Sequence, residues 1–187
     1  MPEKENLYFI AVIPPDDISA DIDRFKHDFA TRFSSKAALK VMPHITVKSP
    51  FKLAASGHDE VLSWFRQLNI TVAPFEITLE NFGSFVNKNK PVIFVQPLAS
   101  EPLAALQKEM IASFRKAYPS IPVMWPEWHF NPHITIAYRD LELDKFNQAW
   151  NEYQLKQYSA TFEVEDIFLL QHNGRQWKII ASRKLVE

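Results

Sequence analysis

Two histidines carry most of the chemical information in this 187-residue chain. Each sits in a Pro-His-Ile-Thr-aliphatic segment, Pro43-His44-Ile45-Thr46-Val47 and Pro132-His133-Ile134-Thr135-Ile136, and the two histidines are 89 positions apart. Polar and apolar residues alternate in both segments, which predicts short strands whose side chains two apart share a face. His44, Thr46 and Lys48 then share one face, as do His133 and Thr135, while Ile45, Val47, Ile134 and Ile136 turn toward a core. Same-face neighbours stand about 6.6 Å apart along a strand, so an imidazole and a hydroxyl can reach different atoms of one phosphate. In-line cleavage of a phosphodiester needs a base for the incoming oxygen and an acid for the leaving one. An imidazole, with an ordinary pKa of about 6.5, can fill either role. Threonine hydroxyls can donate to the non-bridging oxygens as charge builds there. Such a scheme requires no divalent metal and no other cofactor.

A plainer reading stands beside each of these residues. One histidine on a strand is more often a packed histidine than a catalyst, and threonine favours strands for its own reasons. Recurrence of the whole His-x-Thr unit favours catalysis. A zinc site is the rival for the histidine pair, but zinc usually takes a third protein ligand and no carboxylate repeats beside the two segments. Lys48 on the His44 face either attracts phosphate or is a solvated edge residue. Its counterpart in the second segment is Ala137. Tyr138 falls on the Ile face and is expected in the core, and Arg139 either faces the cleft or begins a surface turn. Phe85 and Trp128 are candidate stacking contacts for a base. The cluster Trp125, Trp128, His129 and Phe130 also suits a hydrophobic plug beneath Pro126 and Pro132, the reading preferred here. His27, His58 and His172 have no partner pattern and read as surface or satisfied histidines.

The elements that must position these groups follow from periodicity. Leu7–Ile13 reads as a strand. Asp16 or Asp17 offers an N-cap for a helix over roughly 17–33, carrying Ile18, Ile22, Phe25, Phe29 and Phe33 on one face. Val61, Leu62, Phe65 and Leu68 indicate a second helix, and Phe75, Ile77 and Leu79 a strand. The order then restarts with a strand at Val92–Val95. A helix with Pro102 in its first turn follows, bearing Leu103, Leu106, Met110 and Phe114. After the second motif, Asp144 is expected to cap a helix containing Phe146, Trp150 and Tyr153. A strand opens at Phe162 and Val164 and is expected to continue through Ile167 and Phe168. The last strand, Trp177–Ile180, follows a turn at Asn173–Gly174. Phe75-Glu76-Ile77 against Phe162-Glu163-Val164 gives a second match, offset by 87 positions. Together the matches indicate an internal duplication, with a pseudo-twofold bringing the two motif strands together. The expected organisation is one bilobal domain over 1–187. Its lobes meet near 88 and 89, in the polar stretch Asn87–Lys90, and strands are free to exchange between them.

Composition narrows the function. Apolar residues make up 47% of the chain, enough for a substantial core, and the formal net charge is −1. A protein that coats long nucleic acid carries a basic surplus, so a local pocket is expected instead of a long basic groove. The chain has no cysteine, which excludes disulfides, thiolate metal sites and a cysteine nucleophile and fits a reducing, cytoplasmic setting. Only three glycines are present, too few for a Gly-rich phosphate loop. Leu7–Ile13 is too short to span a membrane.

The paired motifs, Pro43-His44-Ile45-Thr46-Val47-Lys48-Ser49-Pro50-Phe51 and Asn131-Pro132-His133-Ile134-Thr135-Ile136-Ala137, resemble those of the 2H phosphoesterase superfamily. The closer likeness is to its bacterial 2′-5′ RNA ligase-like, or cyclic phosphodiesterase, branch. It covers nearly the whole chain, including Phe82-Gly83-Ser84-Phe85. The resemblance implies an α+β fold, bilobal, with two antiparallel sheets forming a central cleft flanked by helices. It also implies metal-free hydrolysis of 2′,3′-cyclic phosphates or 2′-5′ phosphodiesters of nucleotides or RNA ends, with one histidine as acid and the other as base. Two other readings share that fold: a non-catalytic nucleotide- or RNA-binding module, and a 2′-5′ RNA ligase.

Overall fold

The computed structural model describes residues 3–87 and 89–186. The N-terminal apolar run forms β1 (Glu5–Val12). It shows no alternation in sequence because both its faces are buried: Tyr8, Ile10 and Val12 face the main core, and Phe9 and Ala11 a smaller cluster on the other side. Helix α1 (Asp16–Arg32) buries Ile18, Ile22 and Phe29. The expected aspartate cap is not made. Pro15 occupies the N-cap position, and Asp16 and Asp17 lie in the first turn, where they oppose the positive end of the helix dipole.

Strand β2 (Ile45–Ala54), helix α2 (His58–Arg66) and strand β3 (Phe75–Asn87) complete the first half. The Phe82-Gly83-Ser84-Phe85 stretch is thus the far end of a 13-residue strand. The second half contains β4 (Lys90–Pro97), α3 (Glu101–Ala117), α4 (Trp125–Trp128), β5 (Ile134–Ala137) and α5 (Leu143–Tyr153). Three strands end the chain, β6 (Ser159–Val164), β7 (Asp166–His172) and β8 (Trp177–Lys184). Ser100 caps α3 by accepting the Leu103 N–H. Asp144 lies inside the first turn of α5 and does not cap it.

The strands form two antiparallel sheets, ordered β2-β1-β7-β8 and β5-β4-β3-β6. Helices α2 and α3 lie against the first, and α1 and α5 against the second, so the chain is α+β with helices flanking both sheets. The single strand expected from Phe162 through Phe168 is two strands in different sheets. The chain leaves one sheet after Val164 and enters the other at Asp166. Alternation could not reveal this, because hydrogen-bond partners change while the apolar pattern runs on. Both sheets draw strands from both halves of the sequence. β3 and β4, on either side of positions 88 and 89, are neighbours in one sheet; of the Asn87–Lys90 stretch, Lys88 lies outside the described residues.

The two Phe-Glu-aliphatic segments pair with each other. Phe75 faces Val164, Glu76 faces Glu163 and Ile77 faces Phe162 in antiparallel register. Each segment meets the reverse of its own pattern, which is a local twofold relation centred on the two glutamates.

Candidate active site

Both motif strands lie at the edge of their sheets, β2 beside β1 and β5 beside β4. Both carry the same irregularity. Ala11 pairs with Thr46 and Ile10 with Lys48, leaving Val47 as an extra residue; Phe94 pairs with Thr135 and Ile93 with Ala137, leaving Ile136 extra. A β-bulge of this kind reverses the facing of every residue beyond it. The consequences are visible on both strands. Lys48, expected on the His44 face, is instead turned into the core and is 1% exposed, and Ala137 is buried at the matching place. Tyr138, expected in the core, is turned out and lines the cleft.

His44 and His133 each sit one residue before their strand. The His44 Nδ1 is 2.8 Å from the carbonyl of Met42, and the His133 Nδ1 is 2.7 Å from the carbonyl of Asn131. A carbonyl can only accept, so Nδ1 carries a proton in both rings. The tautomer and ring plane are therefore fixed twice by the same local device, a bond to the carbonyl two residues back, and Nε2 is left as the nitrogen available to a substrate.

One pocket of about 270 Å³ brings His44, Thr46, His133 and Thr135 together. Its walls include Phe9, whose ring lies 4.8 Å from the His44 ring, and Trp177, edge-on to Phe9 at 4.5 Å. Phe94 and Phe85 pack on His133 at 5.3 and 5.6 Å. Gly83 lies opposite Phe94 in the ladder, and any Cβ there would collide with the Phe94 ring. Arg139 also lines the pocket; its φ of +58° turns the chain just beyond β5. The next residue, Asp140, accepts hydrogen bonds from the Ser35 hydroxyl and from the N–H groups of Lys36 and Ala37. This carboxylate fixes the loop after α1, from which Ala38 and Val41 reach the pocket.

Burial pushes both imidazoles below the ordinary histidine value, although each keeps some contact with solvent. For His44 the fall is to about 4, partly opposed by the bond to the Met42 carbonyl and helped to a smaller degree by repulsion from Lys26 and His133. Lys26 is itself 1% exposed on α1, bonded to the Val41 carbonyl at 2.9 Å and paired with Asp23 at 3.0 Å.

A second pocket, of about 770 Å³, adjoins the first and shares Thr46, Pro50, Phe85 and His133 with it. Trp125, His129 and Phe130 line it. The cluster expected as a plug is thus split. Trp128 lies outside both pockets with the Arg115 guanidinium 5.2 Å over its ring, whereas Trp125 stacks on His129 at 4.3 Å as part of the wall. No sequence pattern marked Phe9, Tyr138, Trp177 or Glu127 as parts of the site. Phe9 is concealed in a strand apolar on both faces, Tyr138 by the bulge, and Glu127 by its place in a short helix without a motif.

His58 shares a hydrogen bond with Tyr8, and His27 bonds the Asp23 carbonyl, so both have protein partners. Among the described residues no group of three or more His, Asp or Glu is placed to hold a metal ion, and no helix is long and apolar enough to cross a membrane.

The profile of the 2′-5′ RNA ligase superfamily matches residues 14–176. A protein of Bacillus pumilus named "Putative phosphoesterase" is 25% identical over 165 residues, 88% of this chain and 91% of that one. The structure of E. coli LigT in apo form superposes with a TM-score of 0.69 at 16% identity, covering 99% of this chain and all of LigT. The LigT complex with 3′-AMP gives a TM-score of 0.67 at 15% identity, over 99% of this chain and 100% of that one.

Proposed function

Because this chain belongs to the 2′-5′ RNA ligase superfamily, we propose that it is a metal-independent phosphodiesterase that hydrolyses 2′,3′-cyclic phosphate or 2′-5′ phosphodiester bonds of nucleotides or RNA ends. The observation that carries the reading is the doubled histidine arrangement. Two imidazoles, each pinned through Nδ1 to a carbonyl two residues back, share one pocket with a threonine from each motif strand. A pair held in this way can act on opposite sides of one phosphorus atom.

In the hydrolysis of a cyclic phosphate, one neutral Nε2 takes a proton from water as the new P–O bond forms. The other ring, protonated on Nε2, gives its proton to the leaving ribose oxygen as the old P–O bond breaks. The product is one phosphomonoester, and the two rings have exchanged protonation states. Thr46 and Thr135 supply hydroxyls for the non-bridging oxygens, whose charge rises in the transition state. Among the described residues Arg139 is the one lysine or arginine that lines the histidine pocket, and it supplies a positive charge for the phosphate. The lowered pKa values keep the two imidazoles largely neutral near pH 7 before substrate binds. The anionic diester itself then favours protonation of one ring, so the acid form is recruited by the substrate.

Phosphorus NMR of each nucleoside 2′,3′-cyclic monophosphate, incubated with the protein and a chelator, tests this reading. A single phosphomonoester is expected, and its shift identifies the bond broken. Turnover that stops on chelation would overturn the metal-free mechanism. Binding of all four without turnover would leave a nucleotide-binding module on this fold.

A further inference from the structure

Asp140 stands seven positions after His133, just past the strand of the second motif, yet its bonds go to the loop that leads into the first. Its Oδ1 accepts from the Ser35 hydroxyl at 2.9 Å, and its Oδ2 accepts the N–H groups of Lys36 and Ala37 at 2.8 and 3.0 Å. Ala37–Lys40 is one short 3₁₀ turn, and the side chain of Lys36 in its cap position has no acceptor to offer. The carboxylate therefore caps that turn from another part of the chain, and its charge suits the N–H groups that point out of the turn. Ser35 is 0% exposed, and its hydroxyl finds its partner in Asp140. The backbone enters the left-handed region on both sides of this joint, with φ of +61° at Ser34 and +58° at Arg139. Residues other than glycine seldom adopt such values, which persist where the surrounding bonds fix them.

Beyond the joint the loop is held again before it reaches His44. Lys26 donates to the Val41 carbonyl at 2.9 Å, and the His44 ring donates to the Met42 carbonyl. These bonds lie within the first half of the chain, so they cannot relate the loop to the second motif. Among the described residues, every hydrogen bond between segment 34–43 and segment 131–142 ends on the Asp140 carboxylate. Ala38 and Val41 form one rim of the histidine pocket, and Tyr138 and Arg139 form the other. Asp140 itself lines neither pocket. We infer that Asp140 is a positioning residue: by holding segment 35–37 to the end of β5, it sets the place of His44 relative to His133, and so whether the two imidazoles can flank one phosphorus atom. Its effect on rate rests on the phosphodiesterase reading above; its seating of His44 does not.

The test uses the full chain and its Asp140→Ala, Asp140→Asn and Ser35→Ala variants, with adenosine 2′,3′-cyclic monophosphate as substrate. Asp140 is exposed, so its loss leaves the core intact. Asp140→Ala is expected to lower kcat at least about tenfold with little change in KM while circular dichroism shows it folded; a misplacement of about 1 Å can cost about 10²-fold. An asparagine can accept both N–H groups on its oxygen and donate its amide to the Ser35 hydroxyl, so Asp140→Asn should recover most of the rate. Ser35→Ala removes one bond of the three and should give a smaller fall of the same kind. An unchanged kcat in folded Asp140→Ala, a loss confined to KM, or Asp140→Asn no faster than Asp140→Ala overturns the assignment. If Asp140→Ala does not fold, an unchanged kcat in Ser35→Ala overturns it instead. NMR titration of the histidine rings gives a readout that needs no turnover. His44 is held at about 4 where burial acts with Lys26 and His133. Release of the loop should move its midpoint toward the ordinary 6.5 in Asp140→Ala, or in Ser35→Ala if the former does not fold, and an unmoved midpoint overturns the seating. If the wild type turns over no substrate, the phosphodiesterase reading fails by itself, and this titration alone decides whether Asp140 seats His44.

Discussion

The Nζ of Lys48 stands 2.8 Å from the Oε1 of Glu127, with the two side chains 1% and 3% exposed, joining β2 to α4 between residues 79 positions apart in sequence. Glu127 Oε1 also accepts the Ser49 N–H at 2.9 Å, Glu127 Oε2 accepts the Met124 N–H, and its carbonyl accepts from Gln107. Lys48 lies over the Phe114 ring at 4.3 Å. One ion pair therefore binds the strand of the first motif to the wall of the larger pocket. Removing one member of such a pair leaves the other charge buried alone. Lys48→Met is expected to cost about 3–5 kcal/mol in denaturant unfolding, and Lys48→Met with Glu127→Leu to recover much of that loss. A single variant as stable as the wild type would show that the pair is not formed.

His44→Ala and His133→Ala are each expected to lower kcat by at least about 10²-fold, because each removes one half of the proton transfer. Circular dichroism should show both variants folded, since neither ring belongs to the main core. Substantial turnover in either variant would refute the two-histidine mechanism. The wild-type rate should be the same with and without chelator.

The pH profile follows from the direction of the two shifts. The base must be neutral, so activity falls as pH drops through its pKa; the acid must be protonated, so activity falls as pH rises through the other. His44 is held at about 4 and His133 below its usual 6.5. The bell in kcat/KM should therefore peak on the acid side of pH 6.5, and a peak above pH 7 would contradict these environments. Lys26→Met removes a cation that opposes protonation of His44, so it should move the acid limb to higher pH.

Thr46→Val and Thr135→Val keep shape and strand preference while deleting a hydroxyl beside each histidine. Loss of one donor to a charge that develops in the transition state costs about 10²–10³-fold in kcat at the upper end. A fall in kcat with little change in KM is expected for each, read from steady-state kinetics. An increase confined to KM would assign these hydroxyls to ground-state binding.

Gly83→Ala should lower kcat although residue 83 does not line either pocket. The new methyl would meet the Phe94 ring and Gln96 Oε1, and Phe94 packs on His133. Pairing it with Phe94→Leu, which yields space, should restore part of the rate. No recovery in the double variant would mean that Phe94 does not transmit the effect.

The proposed reacting groups were legible because their information is local. A His-x-Thr unit needs only a strand to place imidazole and hydroxyl on one side, and the helix and strand periods around it are likewise written in neighbouring residues. Repetition of the unit, with Phe75-Glu76-Ile77 answering Phe162-Glu163-Val164, gave the two-part architecture. Other features had no local signal. The period-two pattern assigns Lys48 and Tyr138 to the wrong faces, because an extra residue at Val47 and at Ile136 alters the ladder without altering the residue types. The break after Val164 is a change of partners, which no alternation encodes. Glu127, Gly83 and Asp140 act on the site through residues 78, 11 and more than 100 positions away, and their meaning exists only once those partners are adjacent. Thus the sequence by itself determined which groups could move protons and in what order the elements run. The tertiary structure alone decided which face each side chain presents beyond a bulge and which distant carboxylates and aromatics enclose the pocket, because facing and contact depend on pairing between strands and not on the succession of residues within one.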